Sequence, residues 1–188
     1  MKSICATFVL LVALSLTAKA QFVTIPDTNF VTYLQTNYPT CMTGNQMDTT
    51  CTAITSAPIV NVSTKNIADL TGIQYFDGLL LLFAEQNQLT SLPRMPSNLV
   101  NLTVAINQLS TLPPLPSSLQ VLNISSNAFT SLPSFPPALT MLSIGNNTWT
   151  SIPPLPSTLE IFDIQHAGQT SLPPLPASLK NLICASNP

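Results

Sequence analysis

From Leu79 onward the sequence repeats with a strict twenty-residue period and no insertion, and this period constrains the fold more than any other feature. Units begin at Leu79, Leu99, Leu119, Leu139, Leu159 and Leu179, the sixth being partial. Position four is Leu82, Leu102, Leu122, Leu142, Phe162 and Leu182, and position six is Ala84, Val104, Ile124, Ile144, Ile164 and Cys184. Position nine is Asn87, Asn107, Asn127, Asn147 and Asn187, broken only by Ala167. Position eleven is Leu89, Leu109, Phe129, Trp149 and then Gln169, and each full unit carries a proline at position eighteen, from Pro96 to Pro176. A unit this short cannot bury its apolar side alone, so successive units must stack into a solenoid.

The pattern within a unit says how each coil is built. Positions four and six alternate inward, as a short strand requires, while three and five point to the opposite face. Position nine needs a side chain that both donates and accepts, so that an asparagine there bonds the turn backbone of its own and the adjacent coil. Prolines at positions fifteen and eighteen forbid a helix or a sheet ladder in the return path, which reads as extended polyproline II. The spacing L-x-x-L-x-L-x-x-N-x-L resembles the leucine-rich-repeat family. The resemblance implies a β/polyproline-II solenoid, a leucine-rich-repeat horseshoe with a small helical N-terminal cap. The array spans 79–188, with the cap and an irregular first repeat over 21–78.

In that cap segment Asp27 reads as the N-cap of a helix over Thr28 to Asn37, with Phe30, Tyr33 and Leu34 on one face. Val60 to Leu70 reads as an irregular first strand and turn. The I-P-D-x-N-F and N-I-A-D-L-T-G-I stretches are similar to exported bacterial leucine-rich-repeat proteins. The L-P-x-L-P-x-x-L spacing is also similar to bacterial effectors delivered by type III secretion. Those effectors lack a cleaved signal, and some carry a cysteine ubiquitin-ligase domain for which this sequence has no counterpart.

Met1 to Ala20 has a basic start at Lys2, an apolar centre over Ala6 to Leu16 and an Ala18-Lys19-Ala20 end, the pattern of a secretory signal peptide. The alternative, a membrane anchor, needs about 20 apolar residues, more than the run supplies. The mature chain then begins at Gln21 and works extracytoplasmically, secreted or at the cell surface. Cys5 leaves with the signal, and Cys41 and Cys51 bracket a short polar loop suited to a disulfide in that compartment, the alternative being two free thiols. The mature chain holds Lys65, Arg94 and Lys180 against seven acidic residues, a net charge of −4. So few cations cannot neutralise phosphates, which excludes a nucleic-acid partner. With 45% apolar and 6% charged residues, disorder is excluded as well.

No constellation of acid, base and nucleophile stands out. His166, the single histidine, lies near Asp163, and both are expected on the strand face near Ser125 and Ser143. A polar contact patch is the plainer reading of that group than a triad. Glu160 and Asp163 do not converge, TGNQMDTT holds one carboxylate where calcium needs several ligands, and no glycine-rich phosphate loop is present. No metal or cofactor is therefore expected. Ala167 and Gln169 make unit five unusual, either as a distortion that displays His166 or as repeat decay. Under decay, Ala167→Asn with Gln169→Leu raises stability. Four Asn-x-Ser/Thr tripeptides, at Asn61, Asn101, Asn123 and Asn146, match the N-glycosylation pattern by coincidence in a bacterial setting.

What remains is a surface. Leu81, Asn101, Val121, Met141, Ile161 and Asn181 form one column, and Phe83, Thr103, Asn123, Ser143, Asp163 and Ile183 the other. The expected ligand-binding residues are Phe83 and Met141 as anchors, with Leu81, Val121, Ile161, Asp163 and His166. A face so low in charge suits a neutral protein, peptide or glycan and weak salt dependence. The unit-six edge has no polar cap, so the sequence reads as part of a longer protein whose further domain supplies catalysis or attachment. An end-to-end dimer is the alternative that buries that edge.

Overall fold

The computed structural model of the protein describes residues 21–132 and 134–188. The signal peptide read at Met1–Ala20 lies outside the described residues. Seven three-residue strands form one parallel sheet in sequential order: β4 (Ile59–Asn61), β5 (Leu81–Phe83), β6 (Asn101–Thr103), β7 (Val121–Asn123), β8 (Met141–Ser143), β9 (Ile161–Asp163) and β10 (Asn181–Ile183). From β5 to β10 each strand begins one repeat length after the last and pairs without a register shift, Leu82 against Leu102 and so on to Phe162 against Leu182. Parallel strands need a crossover between them. From β5 onward each crossover is a return segment with neither helix nor strand among the described residues, as the prolines require, whereas the proline-free crossover from β4 to β5 holds a 3-10 turn at Ile73–Tyr75.

The core is a stack of identical layers. Leu82, Leu102, Leu122, Leu142 and Phe162 are fully buried at position four, as are Ala84, Val104, Ile124, Ile144 and Ile164 at position six. At the turn after each strand, position eight takes a positive φ, between 51° and 59° at Gln86, Ile106, Ser126, Asn146, His166 and Ser186. That conformation swings the chain out of the strand so that position nine points inward. Asn127 shows the result. Its Nδ2 donates to the carbonyls of Ile124, Ser125 and Val104 at 3.1, 3.2 and 3.0 Å, while its Oδ1 accepts from Leu109 N at 2.9 Å. Asn87, Asn107, Asn147 and Asn187 repeat this pattern, so each asparagine joins its own coil to the one before.

Before the array lies α1 (Thr28–Asn37), which buries Phe30 and Leu34. The Asp27 carboxylate serves two segments at once. Oδ1 accepts from Asn29 N and Phe30 N at the helix start, and Oδ2 accepts from Ala68 N and Asp69 N in the first turn of the solenoid. The cap is richer than its sequence suggests. The polar loop between the cysteines is a hairpin of β2 (Met42–Thr43) and β3 (Gln46–Asp48), and β3 also pairs antiparallel with β1 (Phe22–Thr24). Cys41 and Cys51 are joined by a disulfide with Cα atoms 5.6 Å apart, closing the hairpin at its base.

Candidate functional site

The parallel register places six of the seven expected binding residues in two columns on the strand face. Leu81, Val121, Met141 and Ile161 stand in line with Asn101 and Asn181, and Phe83 stands in line with Thr103, Asn123 and Ser143. Asp163 continues the second column opposite Ile183, its Oδ1 accepting from the backbone N and the Nε2 of Gln165 at 3.1 and 3.2 Å. Phe83 and Met141 are not neighbours. Three strand spacings, about 14 Å, separate them. Val121, Met141 and Ile161 form a continuous half-buried apolar stripe, while Leu81 groups with Ile59, which is 51% exposed, at the cap end.

His166 is a correction to the sequence reading. It does not lie on the strand face but at position eight, in the positive-φ turn beyond β9, where its side chain is exposed and its backbone N donates to Ala185 O. The carboxylate of Asp163 is engaged by Gln165, and Ser143 is buried, so these groups form no relay. Every unit takes the same positive φ at position eight, so no distortion displays the imidazole. Glu160 pairs with Lys180 of the next unit at 2.8 Å, both side chains being well exposed. Among the described residues no three His, Cys, Asp or Glu side chains gather as metal ligands.

Unit five is also not a decayed repeat. Where an asparagine at its position nine would have donated to Ile144 O, the Trp149 indole Nε1 donates to that carbonyl at 2.9 Å. Trp149 is 6% exposed and stacks on Phe129 with ring centroids 5.8 Å apart, and Ala167, at position nine of the next unit, is 3% exposed. Gln169 Nε2 donates to Trp149 O and Ala167 O, restoring a tie between the two coils. The two departures at positions nine and eleven are thus one exchange. The indole at 149 takes the carbonyl that an asparagine at 167 would use, and residue 167 is an alanine that makes no claim on it. The signal was the coincidence of Trp149 and Ala167 in consecutive units, which column-by-column reading separates.

A second feature escaped the sequence reading. At positions five and seven the face alternates in height from unit to unit. Phe83 and Glu85, Asn123 and Ser125, and Asp163 and Gln165 stand half-exposed, whereas Thr103, Ala105, Ser143 and Gly145 are buried between them. Asn123 Nδ2 reaches Glu85 Oε1 at 3.5 Å, across the whole of β6. The face is therefore corrugated, with low places over β6 and β8. Gly145 is obligatory in the second, because a Cβ there would lie 2.6 Å from the backbone oxygen of Gln165.

The fold has solved counterparts. YopM from Yersinia enterocolitica is 32% identical over 65% of this chain and 27% of that one, with a TM-score of 0.62. A Shigella effector LRR domain is 28% identical over 65% of this chain and 64% of that one, with a TM-score of 0.51. The functional domain of InlJ from Listeria monocytogenes is 24% identical and shares the fold over 91% of this chain and 44% of that one, with a TM-score of 0.67. The chain thus spans less than two thirds of each of these structures. It matches no protein-family model and no curated protein.

Proposed function

The chain is a bacterial leucine-rich-repeat protein built as a parallel solenoid, and from that premise we propose that it is an exported, non-catalytic binding module. Its strand face recognises a protein, peptide or glycan. The observation that carries this reading is the unbroken register from β4 to β10, which sets outward side chains on one rigid sheet while the layers beneath hold it in place. Seven strands at about 4.8 Å span roughly 29 Å, enough for a contact patch of ordinary size. The Cys41–Cys51 disulfide and the signal-like segment Met1–Ala20 support export to an oxidising compartment. A second reading is favoured by the length of the structural neighbours: the chain as the repeat portion of a longer secreted or surface protein.

The test is a pair of variants against the partner that the exported protein captures. Phe83→Ala with Met141→Ala is expected to weaken binding at least about tenfold, the loss of a central anchor. Pro154→Ala with Leu175→Ala, on the return segments, is expected to leave it unchanged. The opposite pattern refutes the strand face as the binding surface. For export, the secreted product is expected to have the mass of a chain beginning at Gln21, and retention of Met1–Ala20 refutes cleavage.

A further inference from the structure

The corrugation of the strand face has a period that selects among the shapes a polypeptide partner can take. The low places over Thr103–Ala105 and Ser143–Gly145 are two strand spacings apart, about 9.6 Å. Alternate side chains of a β-strand lie about 6.8 Å apart and fall out of step at once. A helix returns to the same face after seven residues, about 10.5 Å, and keeps its backbone groups to itself. Polyproline II advances about 9.3 Å in three residues, brings every third side chain to one face, and leaves its carbonyls unpaired. The face offers donors for them. Asn123 Nδ2 holds only the long contact to Glu85, and Asn101 accepts from Thr103 Oγ1 through Oδ1, its Nδ2 having no partner among the described residues.

Charge fixes the ends. Glu85, two residues beyond β5, and Asp163, the last residue of β9, bound this stretch in coils four spacings or about 19 Å apart. Six residues of polyproline II cover about 18.6 Å. Resting on the strand-face reading above, we propose that the site receives a polyproline II segment of a partner protein. Its third-residue side chains are small and apolar and seat over β6 and β8, beside the Val121–Met141 stripe, the first of them parting the long Asn123–Glu85 contact that spans β6. A basic residue at each end meets Glu85 and Asp163, so this partner is not the neutral one expected from overall composition.

The experiment uses fluorescein-labelled peptides and the chain from Gln21 to Pro188. The probe is Lys-Pro-Val-Pro-Pro-Val-Lys, with both termini blocked. One control replaces both Lys by Glu, and the other is Lys-Val-Thr-Val-Thr-Val-Lys, which keeps the charges and changes the period. Anisotropy is expected to show the probe binding at least about tenfold tighter than either control. Thr103→Asn and Ser143→Asn raise the low places with a side chain that β7 already carries at Asn123, and each is expected to weaken the probe about tenfold with the Tm still well above the assay temperature. Equal binding of the alternating peptide, undiminished binding to both variants, or no binding of the probe at millimolar concentration overturns the proposal. If the natural partner is still lost with Phe83→Ala and Met141→Ala, the strand-face reading stands and only the polyproline II partner falls.

Discussion

Replacing Ala167 by Asn restores the family residue at position nine, yet in this protein it is expected to destabilise. Ala167 is 3% exposed, and Ile144 O already accepts from both Asn147 Nδ2 and Trp149 Nε1. A carbonyl has two lone pairs, so the incoming amide finds that acceptor filled, at a position that is already buried. Overpacking of this kind costs about 1 kcal/mol or more. In a Trp149→Leu background the same substitution has room. The new amide then meets the carbonyls of Ile144, Ile164 and Gln165 and the N–H of residue 149, the set that Asn127 makes two units earlier. Four such bonds at about 0.5 kcal/mol each contribute about 2 kcal/mol. The sign of Ala167→Asn therefore reverses with residue 149, a coupling of about 3 kcal/mol, large even for residues in contact. Urea unfolding of the four proteins of the cycle, followed by far-UV circular dichroism, measures it. An effect of the same sign and size in both backgrounds refutes the claim that Trp149 occupies the place of the missing asparagine.

Three further outcomes follow from single residues. Asp27→Ala removes the acceptor of four backbone N–H groups, two on α1 and two on the first turn. It is expected to cost about 3 kcal/mol by chemical denaturation, against less than about 1 kcal/mol if the carboxylate were only an exposed cap. Ile106 is 55% exposed at φ 57°, a conformation that a β-branched side chain resists and asparagine tolerates. Ile106→Asn is therefore expected to stabilise by about 1 kcal/mol, and a fall in Tm counts against strain at that turn. Burial pushes the Tyr38 phenol up to about 12, with the neighbouring Tyr33 adding to the rise, and burial raises Tyr33 as well. Both are neutral in folded and unfolded chains below the ordinary value of 10, so their contribution is intact there. It is lost as the pH rises from 10 toward 12, because the unfolded chain gives up the proton first. Thermal melts at pH 9 to 12 are expected to show this fall, and a flat Tm across that range refutes it.

The parts of this fold legible in sequence are those in which one position does one job in every unit. Position four is apolar because it always faces the stack, and position nine is asparagine because the turn always presents the same carbonyls and N–H. The helix start at Asp27 was legible for the same reason, since capping is local. The second role of Asp27, toward Ala68 and Asp69, joins residues 41 and 42 apart and leaves no periodic trace. The β2–β3 hairpin was hidden because its strands have two and three residues, too few to alternate visibly. The sequence puts His166 at position eight, close enough after the strand to be expected on its face, but that position varies among Gln, Ile, Ser, Asn and His, as a turn permits. Exchanges between columns, such as Trp149 with Ala167, become visible only when the stacking is known.

The alternation of high and low units also bears on how such an array changes length. Solenoids grow and shrink by duplication or loss of whole repeats, and each coil here would accept a new neighbour, since the buried layers and the asparagine ties are nearly the same from one to the next. The outer face would not be indifferent. Insertion of one unit between β6 and β8 would shift every later low place out of phase, abolishing the rhythm while leaving stability intact. Insertion of two would lengthen the face and keep its beat. The heritable unit of this surface is thus a pair of coils, whereas the heritable unit of the fold is a single one.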